Sequence, residues 1–208
     1  MKIKVCGMKD PQNINEVASL LPDFLGFIFY KKSARYVEEI PLRKVLSNLD
    51  SGIEKVGVFV DEASEIVVGF CNRLGLSHAQ LHGKESPEYC AQIQKAGISV
   101  IKVFHMGETF DLDQIKPYEN CSDLLLFDTK TKDYGGSGKH FDWNLLKRYT
   151  SETPFLLSGG ISPEDITKIK ELQIPQLWGI DVNSRVEMSP AYKDVNKVKE
   201  LILKTREG

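Results

Sequence analysis

The sequence predicts a (β/α)8 TIM barrel, and three observations carry the prediction. Eight short apolar runs recur along the chain, each followed by a longer stretch of mixed polarity. The ends of the runs fall about 25 residues apart, the span of one strand, one helix and two short loops. No Pro/Gly/Ser-rich linker or low-complexity tract interrupts the series, so residues 1–208 read as one domain, long enough to bury roughly 70% of its unfolded surface.

The runs are IKVC (3–6), FLGFIF (24–29), KVGVFV (55–60), HAQLH (78–82), SVIKVF (99–104), DLLLFD (123–128), PFLLS (154–158) and LWGID (177–181). Each is rich in Val, Ile, Leu or Phe, as parallel strands covered on both faces are. Between the first two, PQNINEVASLL sets Ile14, Val17, Ala18 and Leu21 on one helical stripe. After the fourth, Ser86 and Pro87 stand as N-cap and first helical residue, and Gly97 stands where a C-terminal stop belongs. The stretch 107–120 carries the weakest helical signal. After the seventh run, Ser162 and Pro163 repeat the cap, with acidic residues in the first turn. A doubly wound open sheet is the structural alternative, but no G-x-G-x-x-G follows the first run.

Composition narrows the function classes. Hydrophobic residues make up 41% and charged residues 27%, with a net charge of −2. That balance argues against a sequence-independent nucleic-acid binder, which needs a basic face to displace counterions. It permits a small anionic ligand held by backbone N–H groups. The N-terminal MKIKVCGMKD has no apolar signal-peptide core, and no run approaches the ~20 residues that span a bilayer. Cys6, Cys71, Cys90 and Cys121 form no C-x-x-C pair and read as reduced thiols of a cytoplasmic protein. His78, His82, His105 and His140 show no ligand spacing with them, so no metal site is expected.

A barrel carries its active site on the rim formed by the C-terminal ends of its strands. The residues at the run ends are Cys6-Gly7, Tyr30 with Arg35 beyond it, Asp61, Gln80 and His82, His105, Asp128, Ser158-Gly159-Gly160, and Asp181 with Asn183-Ser184. They make a polar ring on an apolar scaffold. SGGIS (158–162) lets backbone N–H groups converge on an anion, and DVNSR (181–185) can open a short extra helix. Together these two loops have the form of the fold's phosphate site. DYGGSGKHFDW (133–143) has the length of a mobile active-site loop, in which Lys139 is either a ligand contact or a solvated lysine.

These segments resemble the phosphoribosylanthranilate isomerase family. The resemblance rests on KVCGMKDPQNI (4–14), GFIFYKKSARYV (26–37), KVGVFVDE (55–62), AQLHGKES (79–86), LLLFDTKTKDYGGSGKHFDW (124–143), PFLLSGGISPEDI (154–166) and GIDVNSRVE (179–187), in the family's order. It implies an Amadori rearrangement in tryptophan biosynthesis: N-(5-phosphoribosyl)anthranilate, an aminoaldose, becomes 1-(2-carboxyphenylamino)-1-deoxyribulose 5-phosphate. It implies Cys6 as general base and Asp128 as general acid, with no cofactor or metal. Arg35 matches the arginine that holds the anthranilate carboxylate. Gln80, His82, Gly136, Gly159, Gly160, Asp181, Asn183 and Ser184 are the other expected substrate contacts. The expected partner is the small phosphosugar substrate, with no nucleic acid or membrane, and the expected form is a monomer or homodimer.

The roles make demands. A thiol near ~8.5 needs its thiolate stabilised. Lys4, on the strand face of Cys6, is either that cation or half of a core ion pair. A carboxyl near ~3.9 must be raised by burial or by anions to act as an acid. Loop 181–187 departs from the family at Asn183 and Arg185, where small residues are usual. Three rivals remain: the related histidine-pathway sugar isomerase, against which Cys6 speaks; a Schiff-base aldolase using Lys102; and a non-catalytic phosphosugar-binding barrel.

Overall fold

A computed structural model describes residues 1–107, 110–129 and 140–207. Its eight parallel strands are β1 (Lys2–Val5), β2 (Phe24–Ile28), β3 (Glu54–Phe59), β4 (His78–Leu81), β5 (Ser99–Met106), β6 (Leu124–Thr129), β7 (Phe155–Leu157) and β8 (Leu177–Val182). They pair in chain order, and β8 returns to β1 with Lys4 opposite Asp181. The expected (β/α)8 barrel is present, with every predicted run on a strand. No helix among the described residues is long and apolar enough to cross a membrane.

Period-two alternation divides each strand between two cores. One set of side chains, Phe24, Val56, Ile101, Val103, Leu124, Leu126 and Leu156, packs together inside the barrel. The other set, including Ile3, Val5, Leu25, Phe27, Phe59, Leu125, Phe127, Phe155 and Ile180, meets the surrounding helices. The inward set continues up the strands to the rim. Asp128 follows Leu124 and Leu126, His105 follows Ile101 and Val103, Ser158 follows Leu156, and Cys6 follows Lys4. The polar ring therefore continues the faces that fill the barrel.

The outer layer is uneven. The helices are α1 (Pro11–Ala18), α2 (Glu39–Leu46), α3 (Ser64–Leu74), α4 (Pro87–Lys95), α5 (Ile166–Glu171) and α6 (Val195–Arg206). Asp10 caps α1 by accepting from Asn13 N at 2.9 Å, and Ser86 caps α4 by accepting from Tyr89 N at 3.3 Å. Ser162 caps a single 3₁₀ turn, Pro163–Asp165, that leads into α5. After β5 and β6 the α-helices give way to 3₁₀ turns at Leu112–Tyr118 and Trp143–Arg148. Pro117 lies inside the first and removes an N–H donor that a longer helix would use. That stretch is where the helical signal was weakest. After β8 come a 3₁₀ turn, Ser184–Val186, and a hairpin of β9 (Glu187–Ser189) and β10 (Tyr192–Lys193).

Candidate active site

The rim is organised around a buried ion pair. Lys4 Nζ donates to Asp181 Oδ1 at 2.8 Å, and both side chains are buried. On one side of the pair lies the Cys6 thiol. Burial pushes its pKa up, and Lys4 pulls it part of the way back. Burial also opposes the charge on Lys4, but Asp181 and Cys6 outweigh it and hold the ammonium protonated. Both roles left open for Lys4 are thus realised: it is half of a core ion pair and it is the cation facing Cys6. Gly26 on β2 makes room for this arrangement, since a Cβ there would sit 2.8 Å from Cys6 Sγ and 3.0 Å from Lys4 Nζ.

On the other side of the pair, the Ser158 hydroxyl contacts both Asp181 and Asp128. Burial, and then repulsion by Asp181, lift the Asp128 carboxyl from 3.8 to about 6, against the pull of Thr129, Ser158 and Lys4. Asp128 Oδ1 accepts from Thr129 N at 2.9 Å, while Oδ2 lies 3.6 Å from His82 Nε2. The second oxygen is therefore the one placed to carry a proton. Gln80 Nε2 sits 3.2 Å from His82 Nδ1. Burial, with the charges of His105, Lys4 and Lys102, lowers His82 to about 3, so the ring is neutral. Cys6, Lys4, Asp181, Ser158 and Asp128 form one continuous chain of contacts across the mouth.

Arg35 follows β2 and is anchored at that site by Glu187, which accepts from Nε at 2.9 Å and from one terminal nitrogen at 2.6 Å. Glu187 also accepts from Lys193 Nζ at 2.7 Å, and Lys193 donates to Asn183 Oδ1 at 2.7 Å. Asn183, expected as a substrate contact, uses its side-chain oxygen inside this network. Nothing in the sequence reading pointed to Glu187 or Lys193. The signal available was a carboxylate and a lysine close behind the last strand.

The two glycines after β7 adopt left-handed φ values of 100° at Gly159 and 77° at Gly160. A Cβ at Gly159 would fall on Thr129, 2.6 Å from its backbone nitrogen. The turn therefore folds tightly over the end of β6, and His140 Nδ1 sits 2.8 Å from the Gly159 carbonyl oxygen. Ser184 opens the 3₁₀ turn on the neighbouring loop, with Asn183 just before it. Gly136 and Lys139, in the glycine-rich segment, lie outside the described residues.

Asp61 of the predicted ring and Lys102 of β5 hold the scaffold. Asp61 Oδ1 accepts from Lys84 N at 2.6 Å and ties the loop after β3 to the loop after β4. Lys102 donates to Leu81 O at 3.2 Å, Gly83 O at 2.8 Å and Glu85 Oε2 at 2.7 Å. An ammonium with all three protons engaged, one of them in a buried ion pair with Glu85, is no nucleophile, which disposes of the Schiff-base reading.

What the arrangement offers is a carboxyl whose pKa is raised to about 6, a thiol beside an ammonium, an anchored guanidinium, and a tight turn of two left-handed glycines. The family model for N-(5'-phosphoribosyl)anthranilate (PRA) isomerase matches residues 3–204. An N-(5'-phosphoribosyl)anthranilate isomerase of Parabacteroides distasonis is 46% identical, over 97% of this chain and 92% of its own length. That of Phocaeicola vulgatus is 43% identical, over 97% and 100%. The crystal structure of phosphoribosyl anthranilate isomerase from Thermotoga maritima superposes with a TM-score of 0.90 at 33% identity, covering 99% of this chain and 98% of that one. A phosphoribosyl anthranilate isomerase in complex with reduced 1-(o-carboxyphenylamino)-1-deoxyribulose 5-phosphate superposes with a TM-score of 0.87 at 29% identity, covering 99% and 98%. With nearly its whole length matched, this chain belongs to the N-(5'-phosphoribosyl)anthranilate isomerase family.

Proposed function

We propose that this chain converts N-(5'-phosphoribosyl)anthranilate into 1-(2-carboxyphenylamino)-1-deoxyribulose 5-phosphate, the isomerase step of tryptophan biosynthesis, with Asp128 as general acid and Cys6 as general base. The observation that carries the assignment is the Asp128 carboxyl held at about 6 across the Lys4–Asp181 pair from a buried thiol.

The chemistry needs two proton transfers. Opening the furanose ring would expel an alkoxide unless the ring oxygen receives a proton, and Asp128 Oδ2 supplies it. The ring-opened imine makes the sugar C2–H acidic, and the Cys6 thiolate removes that proton to leave the enolamine, which tautomerises to the ketone as C1 takes up a proton and the C2 hydroxyl gives one up. Lys4 offsets part of the penalty that burial places on the thiolate. Arg35, oriented by Glu187, presents its remaining terminal nitrogen to the anthranilate carboxylate. The phosphate rests on backbone N–H groups of the Gly159-Gly160 turn and the Asn183-Ser184 loop. His82 is neutral and packs against the acid, where it orients Asp128 or the substrate. The histidine-pathway reaction is disfavoured because it places an aspartate at the first strand end, where this chain has Cys6.

The test is a fluorescence assay of phosphoribosylanthranilate consumption by the purified protein and its Cys6→Ser variant. Turnover by the native chain and a loss of about 10² or more in the variant support the reading, since general bases contribute about 10²–10⁴. A variant as active as the native chain removes Cys6 from the mechanism. Absence of turnover in the native chain leaves the non-catalytic phosphosugar-binding barrel.

A further inference from the structure

We propose that His82, His105 and Asp128 form a site for a divalent transition-metal ion of the zinc class, and that an ion held there stops the isomerase. Each of the three offers one donor atom, and these atoms lie within 4.8 Å of one another. The spacing of histidines along the chain gave no hint of this. Barrel closure supplies it: His82 follows β4, His105 ends β5 as the register partner of Asp128 on β6, and all three point to the mouth.

The donor set selects the ion. Two imidazoles and one carboxylate suit zinc, cobalt or nickel better than magnesium or calcium, which take oxygen ligands. Three protein ligands with a water in the open position is a familiar zinc arrangement. A tetrahedral ion with bonds of ~2.0–2.1 Å spaces its ligands roughly 3.4 Å apart, close to the 3.6 Å between His82 Nε2 and Asp128 Oδ2. His105 is exposed, and its donor atom lies within 4.8 Å of the other two. The rings of His82 and His105 already lie 5.0 Å apart between centroids.

A second observation concerns the shell behind the histidine. Gln80 is buried, and its Oε1 has no hydrogen-bond partner among the described residues, while its Nε2 faces His82 Nδ1. Swapping the amide puts Gln80 Oε1 on the His82 Nδ1–H and leaves the lone pair of His82 Nε2 free for a metal. That is the second-shell contact by which ligating histidines are oriented. In either orientation one amide atom goes unpaired, so the amide can follow whichever tautomer His82 adopts.

An ion bound there occupies the Asp128 oxygen that ring opening needs to carry a proton, so the acid is lost. This inhibitory half rests on the reading of Asp128 given above; the ion site does not.

The test uses the purified full-length protein titrated with CoCl₂ and ZnCl₂, and a His105→Ala variant. The expected results are a visible cobalt absorption without the near-ultraviolet band of a thiolate, its displacement by zinc, and inhibition by zinc that substrate relieves and EDTA reverses. His105→Ala should turn over normally without metal and bind cobalt about tenfold or more weakly, escaping inhibition in proportion. A thiolate band, no visible band, or unchanged affinity in His105→Ala overturns the site. His105-dependent cobalt binding that leaves turnover untouched overturns the inhibitory half and the acid role of Asp128 together.

Discussion

With its carboxyl at about 6, Asp128 is protonated in roughly one molecule in ten at pH 7. Cys6, raised above the ordinary thiol value, is ionised in few. The competent form, acid protonated and base ionised, is therefore a minority species in reverse protonation. Its fraction is flat between the two values, because each pH step that removes acid supplies base in proportion. We expect kcat/KM to rise up to about pH 6 and then hold a plateau through neutrality, and Asp128→Glu to move that rising limb. A rate falling steadily from pH 6 to 8 would contradict this. Asp128→Asn keeps the shape and the Thr129 contact but cannot transfer a proton, so turnover should vanish while Kd for a product analogue stays within a few-fold. The same substitution should stabilise the fold. The folded value lies above the unfolded one, so this carboxyl's contribution is complete below about pH 3.8 and is lost as pH rises towards about 6. At pH 8 Asp128→Asn should gain on the order of 3 kcal/mol in denaturant unfolding, and at pH 3.5 almost nothing. Cys6 and Asp128 were legible as rim residues because each closes an apolar run. His105 beside His82 was not, since the meeting depends on two neighbouring strands ending at the same height.

The elements carry the next layer of consequence. Lys4 on β1 and Asp181 on β8 are buried together, and removing one partner leaves the other charged and unpaired. Lys4→Met should cost about 3–5 kcal/mol in unfolding free energy, and Lys4→Met with Asp181→Leu should recover much of it without recovering turnover. Recovery of both would reduce Lys4 to a structural residue. The loop after β2 and the hairpin β9–β10 make the other pairing. Arg35→Ala should raise KM at least as much as it lowers kcat, because a carboxylate clamp acts in ground and transition states alike. The fold should survive, since Glu187 keeps Lys193 at 2.7 Å. An unchanged KM would move the carboxylate site elsewhere. These pairings were not readable in advance: 177 residues separate Lys4 from Asp181, and 152 separate Arg35 from Glu187. Local signals did well where they were strong. The Ser86-Pro87 cap and the Gly97 stop bound α4 as expected, whereas Pro117 and short spacing turned the segment after β5 into 3₁₀ turns.

For the whole molecule, the eight strands were legible because a strand buried on both faces writes itself as an apolar run, and because the runs recur at one spacing. The position of the rim residues followed from knowing which end of a barrel strand is the working end. What the order of the chain could not show is how the ring closes, and closure has a consequence for the life of the protein. Cys6 leaves the ribosome 175 residues ahead of Asp181. At about 5–20 residues per second, the gap lasts roughly 9–35 s. Throughout it, the thiol that folding later seals beneath the rim stands in open water at its ordinary reactivity. Alkylating or oxidising agents present during synthesis should therefore silence the enzyme at doses the finished barrel resists. Iodoacetamide labelling of stalled chains against completed protein would measure the difference.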